Sequence, residues 1–85
     1  MEKSIHSALS EVLREHLVEL RKVRGWTQRE LAAAVGREPS FVARVELGER
    51  RVDVIEYWML LNTLDAAPTE AVKNLFSRFA DAAER

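Results

Sequence analysis

The feature that most constrains this chain is a pair of short apolar helical patterns separated by one glycine, within residues 27–48. The first pattern opens with Thr27 and carries Glu30 three residues later, which is the spacing of a reciprocal capping box. Gly36 stands between the patterns and can take the positive φ that a tight turn needs. The stretch therefore predicts two short helices joined by a turn, at about residues 28–35 and 39–47.

Three more helical patterns flank this pair. Apolar residues at steps of three and four predict one long helix over about residues 4–24 and another over about 68–82. Between them, Asp53 followed by Glu56 forms a second capping box ahead of an apolar stretch that continues to Leu64. A chain of 85 residues is the size of one domain, so the sequence predicts a single all-α domain of five helices, residues 1–85.

The central part of the chain, from about residue 20 to residue 64, resembles the helix-turn-helix of phage-repressor and Cro-type proteins, the XRE family. The residues that carry the resemblance are Gln28, Leu31, Ala32, Gly36, Val42, Val45, Glu46 and Gly48. The resemblance implies a lambda-repressor-like DNA-binding domain with a core at about residues 17–64. Residues 1–16 would then extend the first helix ahead of this core.

The distribution of charge favours a polyanionic partner for the central segment. Residues 21–51 hold eight basic and four acidic side chains, a net charge of +4, although the whole chain carries −1. The segments on either side, residues 1–20 and 52–85, are both net negative. Nucleic acid is a partner that such a confined positive region fits. A solvated charged surface is the alternative.

The helix expected at 39–47 would enter the major groove of double-stranded DNA. Its outward positions, with the two residues just ahead of it, are Arg37, Glu38, Pro39, Ser40, Ala43 and Arg44. A guanidinium can donate two hydrogen bonds to guanine, which makes Arg44 the strongest candidate for reading a base. A contact from Arg44 to a phosphate is the alternative.

Three further side chains are expected to bind the DNA backbone. Gln28 opens the second helix, where its amide and the free backbone N–H groups can donate to a phosphate. The alternative for Gln28 is a plain exposed polar residue. Arg50 and Arg51 follow the recognition helix, where the resemblance implies backbone contacts.

The resemblance also implies an ion pair between Arg21 and Glu46. Such a pair would connect the first helix to the end of the recognition helix and fix its orientation. We expect it to be structural, and loss of one partner to be costly if the pair is partly buried.

The helix expected at about residues 68–82 is amphipathic and carries two phenylalanines, which exceeds what four short helices need for closure. We therefore expect this C-terminal helix to serve dimerisation, with help from the first and fourth helices. Trp58, Leu75, Phe76 and Phe79 are therefore predicted to take part in a homodimer contact. The alternative is that the last helix caps only the core of its own chain.

Other classes of function are disfavoured. The chain has no cysteine, no phosphate-cradling glycine loop and no nucleophile elbow, so we expect no enzyme activity, no metal, no cofactor and no small-molecule ligand. His6 and His16 are interpreted as surface or stripe-edge residues. No apolar run is long enough for a membrane span, and the simplest location is cytoplasmic.

The sequence thus predicts a transcriptional regulator, in the manner of a small repressor, that binds an inverted repeat as a homodimer. Three positions depart from the family pattern: Arg37 replaces an apolar residue, Glu38 replaces a serine or threonine cap, and Val52 replaces a common proline. A protein-binding adaptor or antitoxin-like module of the same fold is the alternative.

Overall fold

A computed structural model describes residues 5–84, and this part of the chain is all-α. Its five helices are α1 (Ile5–Arg24), α2 (Gln28–Ala34), α3 (Phe41–Glu46), α4 (Val54–Thr63) and α5 (Pro68–Ala83). None of the helices in residues 5–84 is long and apolar enough to cross a membrane. The fold class and the number of helices agree with the prediction.

Local sequence signals set the starts of α2 and α4. The Thr27 hydroxyl accepts from the Glu30 backbone N–H at 3.1 Å, and the Glu30 carboxylate accepts from the Thr27 N–H at 2.7 Å. Asp53 and Glu56 make the same reciprocal pair at 2.7 and 3.0 Å. Each box satisfies two N–H groups that the helix itself leaves without partners.

Helix α3 begins two residues later than the sequence analysis predicted. The Phe41 N–H donates to the Glu38 carbonyl at 3.0 Å, which is a turn hydrogen bond, and the first α-helical bond runs from the Arg44 N–H to Ser40 at 3.0 Å. Pro39 therefore lies in a turn ahead of α3 and does not form its first helical position. Its fixed φ suits such a turn as well as it suits a helix start.

The hydrophobic core draws on all five helices. Its buried members are Leu17, Leu31, Ala32, Phe41, Val42, Val45, Tyr57, Leu60, Leu61, Leu64, Ala71 and Leu75. The core thus extends beyond residues 17–64 to two residues of α5. Leu75 was expected at a dimer contact, but it is only 3% exposed, because the apolar stripe of α5 faces the rest of its own chain. Phe79 is likewise partly buried against this core.

Helix α5 packs along α1 and makes the most extensive helix pairing in the fold. Across this pairing the Arg78 guanidinium donates to Glu19 at 2.8 Å and to Glu15 at 3.4 Å. Val12 of α1 packs against the core, whereas Ile5 remains 55% exposed. The exposed ion pairs contribute little to stability, so apolar contact holds the two helices together.

His16 is buried, contrary to its interpretation as a surface or stripe-edge residue. It lies on the inner side of α1 at 3% exposure, and its Nε2 is 2.8 Å from the Tyr57 hydroxyl. Burial lowers the pKa of His16, and the nearby positive charge of Arg78 lowers it further. Burial also raises the pKa of Tyr57. The neutral pair is therefore a hydrogen-bonded part of the core.

Two glycines shape the ends of the helix pair α2–α3. Gly36 has φ of +72° and lets the Arg37 N–H reach back to the Ala32 carbonyl at 2.9 Å, which ends α2. Gly48 has φ of +82°, and a Cβ there would stand 2.5 Å from Nη1 of Arg14. Both positions therefore favour glycine because each takes a positive φ, and at Gly48 the flexible end of Arg14 would also have to move to admit a Cβ.

Candidate nucleic-acid interface

One edge of α3 is presented to solvent while the other is sealed in the core. Phe41, Val42 and Val45 are each only 4% exposed. On the opposite side Ser40 and Arg44, four residues apart, are exposed, and Ala43 between them is half-buried. A helix supported on its apolar face, with polar side chains on its free edge, has the form needed to enter a groove.

The C-terminal end of α3 is held by a cluster of three side chains, Arg21, Gln28 and Glu46, which we call the C-terminal cluster. Arg21 donates to the Glu46 carboxylate from Nε at 2.7 Å and from Nη2 at 3.0 Å. Its Nη1 donates to the Trp26 carbonyl at 2.9 Å. The side chains of Arg21 and Glu46 are 12% and 9% exposed. The ion pair expected from the sequence thus lies in contact and links α1 to α3.

Gln28 takes part in the same cluster, which the sequence analysis did not anticipate. Its Nε2 donates to Oε1 of Glu46 at 2.7 Å. The side chain was expected to point to a phosphate, yet Glu46 at the end of α3 already accepts one of its two amide N–H groups. The second N–H is the donor that remains for another partner.

A second cluster, formed by Arg37, Phe41, Arg50 and Glu56, holds the other end of α3, and we call it the N-terminal cluster. Arg50 donates to both oxygens of Glu56, at 2.8 and 2.7 Å. Arg37 donates to the same carboxylate at 2.7 Å. Together with the Asp53 N–H, these groups give the carboxylate four hydrogen bonds.

The ring of Phe41 lies beneath both guanidinium groups of this cluster. The guanidinium carbons of Arg37 and Arg50 are 4.9 and 5.1 Å from the ring centroid, within the range of cation–π attraction. Hydrogen bonds from Arg50 are the main reason that the pKa of Glu56 is lowered, and hydrogen bonding to Glu56 raises the pKa of Arg50. Both shifts favour the charged forms of Glu56 and Arg50 at neutral pH.

Sequence reasoning missed the N-terminal cluster. Glu56 was recognised only as a helix cap, although it is 7% exposed and receives two arginines. Arg37 was noted as a departure from the family pattern and as a DNA contact, without a partner inside the protein. The only local signal was the capping box, because Arg37 and Glu56 lie 19 positions apart.

The remaining candidates lie in the segments just before and just after α3. Arg51 follows Arg50 in the loop before α4 and is exposed, and Arg50 also donates to its carbonyl. Glu38 and Pro39 are exposed in the turn before α3. Arg44 and Arg51 are therefore accessible without rearrangement, whereas Arg37 and Arg50 are engaged with Glu56.

The side chains expected at a dimer contact separate into two pairs. Leu75 and Phe79 belong to the core or its edge, as described above, but Trp58 is 56% and Phe76 is 62% exposed. Trp58 lies on an outer face of α4 with three other exposed apolar residues, which are Val54, Ile55 and Met59.

Comparisons with known proteins identify the class to which this geometry belongs. Residues 12–72 match a family described as a helix-turn-helix domain. A solved structure titled XRE-family like protein from Pseudomonas syringae pv. tomato str. DC3000 is similar with a TM-score of 0.78 and 40% sequence identity. The similarity covers 86% of this chain and 91% of that chain. A search of curated proteins finds no match.

Proposed function

Because this chain belongs to the XRE family of helix-turn-helix proteins, we propose that it is a sequence-specific regulator of transcription. A DNA-binding regulator is the general function that the family supports. The observation that carries the specific proposal is the free edge of α3, where Ser40 and Arg44 are exposed above a buried apolar face.

Helix α3 would lie in the major groove with this edge toward the bases. Arg44 can then donate two hydrogen bonds to O6 and N7 of guanine, which is the commonest specific contact in this groove. Ser40 can bond a base or a phosphate, and Ala43 can pack on a thymine methyl group. Pro39 and Glu38 lie at the entry of the helix, where a carboxylate can accept from cytosine N4.

Phosphate contacts would come from both sides of α3. Arg51 is exposed in the loop that follows the helix. Gln28 begins α2, and the N–H that it does not give to Glu46 can donate to a phosphate near the start of that helix. Contacts of this kind fix the register of the protein on DNA without reading sequence.

We place a homodimer contact on the exposed apolar face of α4. Val54, Ile55, Trp58 and Met59 share this face, and Phe76 of α5 is also exposed. Exposed apolar residues grouped on one helix face are typical of an interaction site, and a second copy is the partner that we propose for it. Two copies related by a two-fold axis would bind half-sites about 34 Å apart, one turn of DNA.

The test of the DNA-binding proposal starts with selection of duplexes from a random pool. Replacement of Arg44 by alanine should then cost about 1–3 kcal/mol in binding the selected duplex and should relax the preference at one position. Lys73, exposed on α5, provides a charge-matched control, since Lys73→Ala removes one positive charge away from the recognition helix. Fluorescence anisotropy with the selected and substituted duplexes measures both quantities.

The outcomes separate the functions. If Arg44→Ala weakens binding to all duplexes equally, Arg44 contacts a phosphate and does not read a base. If the wild-type protein does not bind duplex DNA at low salt and instead co-purifies with a protein partner, its function is that of a protein-binding adaptor and not of a transcriptional regulator.

The dimer proposal has its own test. Sedimentation at tens of micromolar should give a dimer for the wild type and a monomer for Trp58→Ser. Val23→Ser on α1 is the matched control, because Val23 is an apolar residue with 88% exposure outside the α4 face. A monomeric wild type, or equal behaviour of the two variants, would remove α4 from the contact.

A further inference from the structure

We propose that Glu56 is a positioning residue for DNA recognition, which holds Arg37, Arg50 and the start of α3 in the geometry that reads the operator. This inference rests on the proposed DNA-binding function. Glu56 does not itself lie on the free edge of α3. It is 7% exposed and acts through the side chains that it binds.

The geometry of the carboxylate supports this role. Arg50 approaches it end-on with both terminal nitrogens, at 2.8 and 2.7 Å, and Arg37 uses only Nη2, at 2.7 Å. Since a guanidinium carries five N–H donors, each arginine keeps donors for a second acceptor. The Arg37 side chain is 39% exposed and the Arg50 side chain is 33% exposed, so those donors have access to a ligand at the surface.

The same cluster lies at the start of α3. Phe41 is the first residue of α3, and its buried ring lies under both guanidinium groups. A helix of six residues has little stability of its own and depends on contacts with its surroundings. Glu56, fixed at the start of α4, therefore connects the entry of the recognition helix to the rest of the domain.

A positioning role and a purely electrostatic role for Glu56 predict opposite changes in DNA affinity when its charge is removed. Glu56 places a negative charge close to the surface that would meet the phosphates. If charge were its only influence, removal of that charge would strengthen binding to every duplex. If Glu56 positions the reading surface, its removal should weaken specific binding even though the protein becomes more positive.

The experiment compares Glu56→Gln with Glu49→Gln. Both variants remove one negative charge, and Glu49 is exposed in the loop after α3. Affinity is measured for a duplex selected by the wild-type protein and for a random duplex, across a range of salt concentrations. Circular dichroism at the same temperature establishes the folded fraction, and affinities are referred to folded protein.

We expect Glu56→Gln to bind the selected duplex roughly tenfold to a hundredfold more weakly, the loss typical of one or two misplaced contacts. Its affinity for random duplex should be unchanged or higher, so the ratio of the two affinities falls. Glu49→Gln should keep the wild-type ratio. If Glu56→Gln instead gains affinity for both duplexes in parallel with Glu49→Gln, Glu56 contributes charge alone and the inference is overturned.

A second variant covers the case in which Glu56→Gln does not fold. Glu56→Asp keeps the charge but shortens the side chain by one methylene, so the carboxylate reaches its arginines less well. A fall in the affinity ratio with no change of net charge supports positioning, and an unchanged ratio refutes it. A wild-type protein that binds no duplex at all overturns the proposed function together with this inference.

Discussion

The two ends of α3 are held by the same chemistry, a carboxylate bound by guanidinium groups, but in different ways. At the C-terminal cluster the carboxylate belongs to α3 itself, and its partner Arg21 is only 12% exposed. At the N-terminal cluster the carboxylate of Glu56 comes from α4, and its arginines are about a third exposed. The C-terminal end of α3 is therefore closed to solvent, and the N-terminal end is open to it; we call them the closed end and the open end.

This difference indicates that the two clusters have different roles, one in stability and one in DNA binding. The ion pair of the C-terminal cluster is neutral, which suits a structural attachment between α1 and α3. The N-terminal cluster has two cations on one anion and keeps a net positive charge beside the free edge of the helix. The arginine of the C-terminal cluster is more buried than those of the N-terminal cluster, so stability should depend more on Glu46 and DNA binding more on Glu56.

The largest effect is expected at the closed end. Replacement of Glu46 by alanine leaves Arg21 nearly buried without its carboxylate, and we expect a loss of about 3 kcal/mol in the free energy of unfolding. Urea denaturation followed by circular dichroism measures it. Glu49→Ala in the next loop is the control and should change stability by less than about 0.5 kcal/mol. A loss as small as that of the control would show that this end contributes little.

Replacement of Glu56 by alanine should cost less, about 2 kcal/mol, although this carboxylate accepts more hydrogen bonds. The reason is that the arginines it releases are partly exposed and can be solvated by water. The same urea experiment ranks the two variants. A Glu56 variant less stable than the Glu46 variant would reverse the assignment of closed and open ends.

A smaller effect is expected for Phe41→Leu, which keeps an apolar side chain but removes the ring beneath the two guanidinium groups. We expect a loss of about 1 kcal/mol from the missing cation–π contacts and the imperfect fit. Phe76→Leu is the matched control, because Phe76 is 62% exposed. Equal melting temperatures for the two variants would show that the cation–π contacts of Phe41 do not stabilise the fold.

The smallest effect is the acid dependence of the N-terminal cluster. The pKa of Glu56 is lowered from its ordinary value of 4.5 in the folded protein. Its contribution to the free energy of unfolding is therefore complete above pH 4.5 and is lost as the pH falls through the pKa of the folded state. Urea unfolding at a series of pH values should show this loss in the wild type. This loss of stability at acid pH should be absent in Glu56→Gln. If the variant still shows the loss, another carboxylate is responsible for it.

His16 should cause a second loss of stability in the same series of pH values, at a higher pH than Glu56. Its pKa is lowered from 6.5 on folding, so the unfolded chain binds more protons and stability falls as the pH drops below that value. This earlier decline should remain in Glu56→Gln and vanish in His16→Gln. The two variants thus separate the core histidine from the cluster at the start of α3.

The sequence by itself determined those features of the protein that depend on neighbouring residues. The capping boxes at Thr27 and Asp53 set the starts of α2 and α4, and apolar spacing gave the number of helices. Val42 and Val45 are three residues apart, which puts them on one helix face, and that face is buried. These features could be predicted because capping and helical periodicity act over three or four residues.

Only the tertiary structure decided which side chains meet across long separations. It showed that Leu75 and His16 face inward, that Gln28 shares Glu46 with Arg21, and that Glu56 binds two arginines. An amphipathic stripe does not reveal whether its own chain or a second copy will cover it. An arginine in a sequence likewise does not reveal its carboxylate, because that pairing follows from how the helices pack.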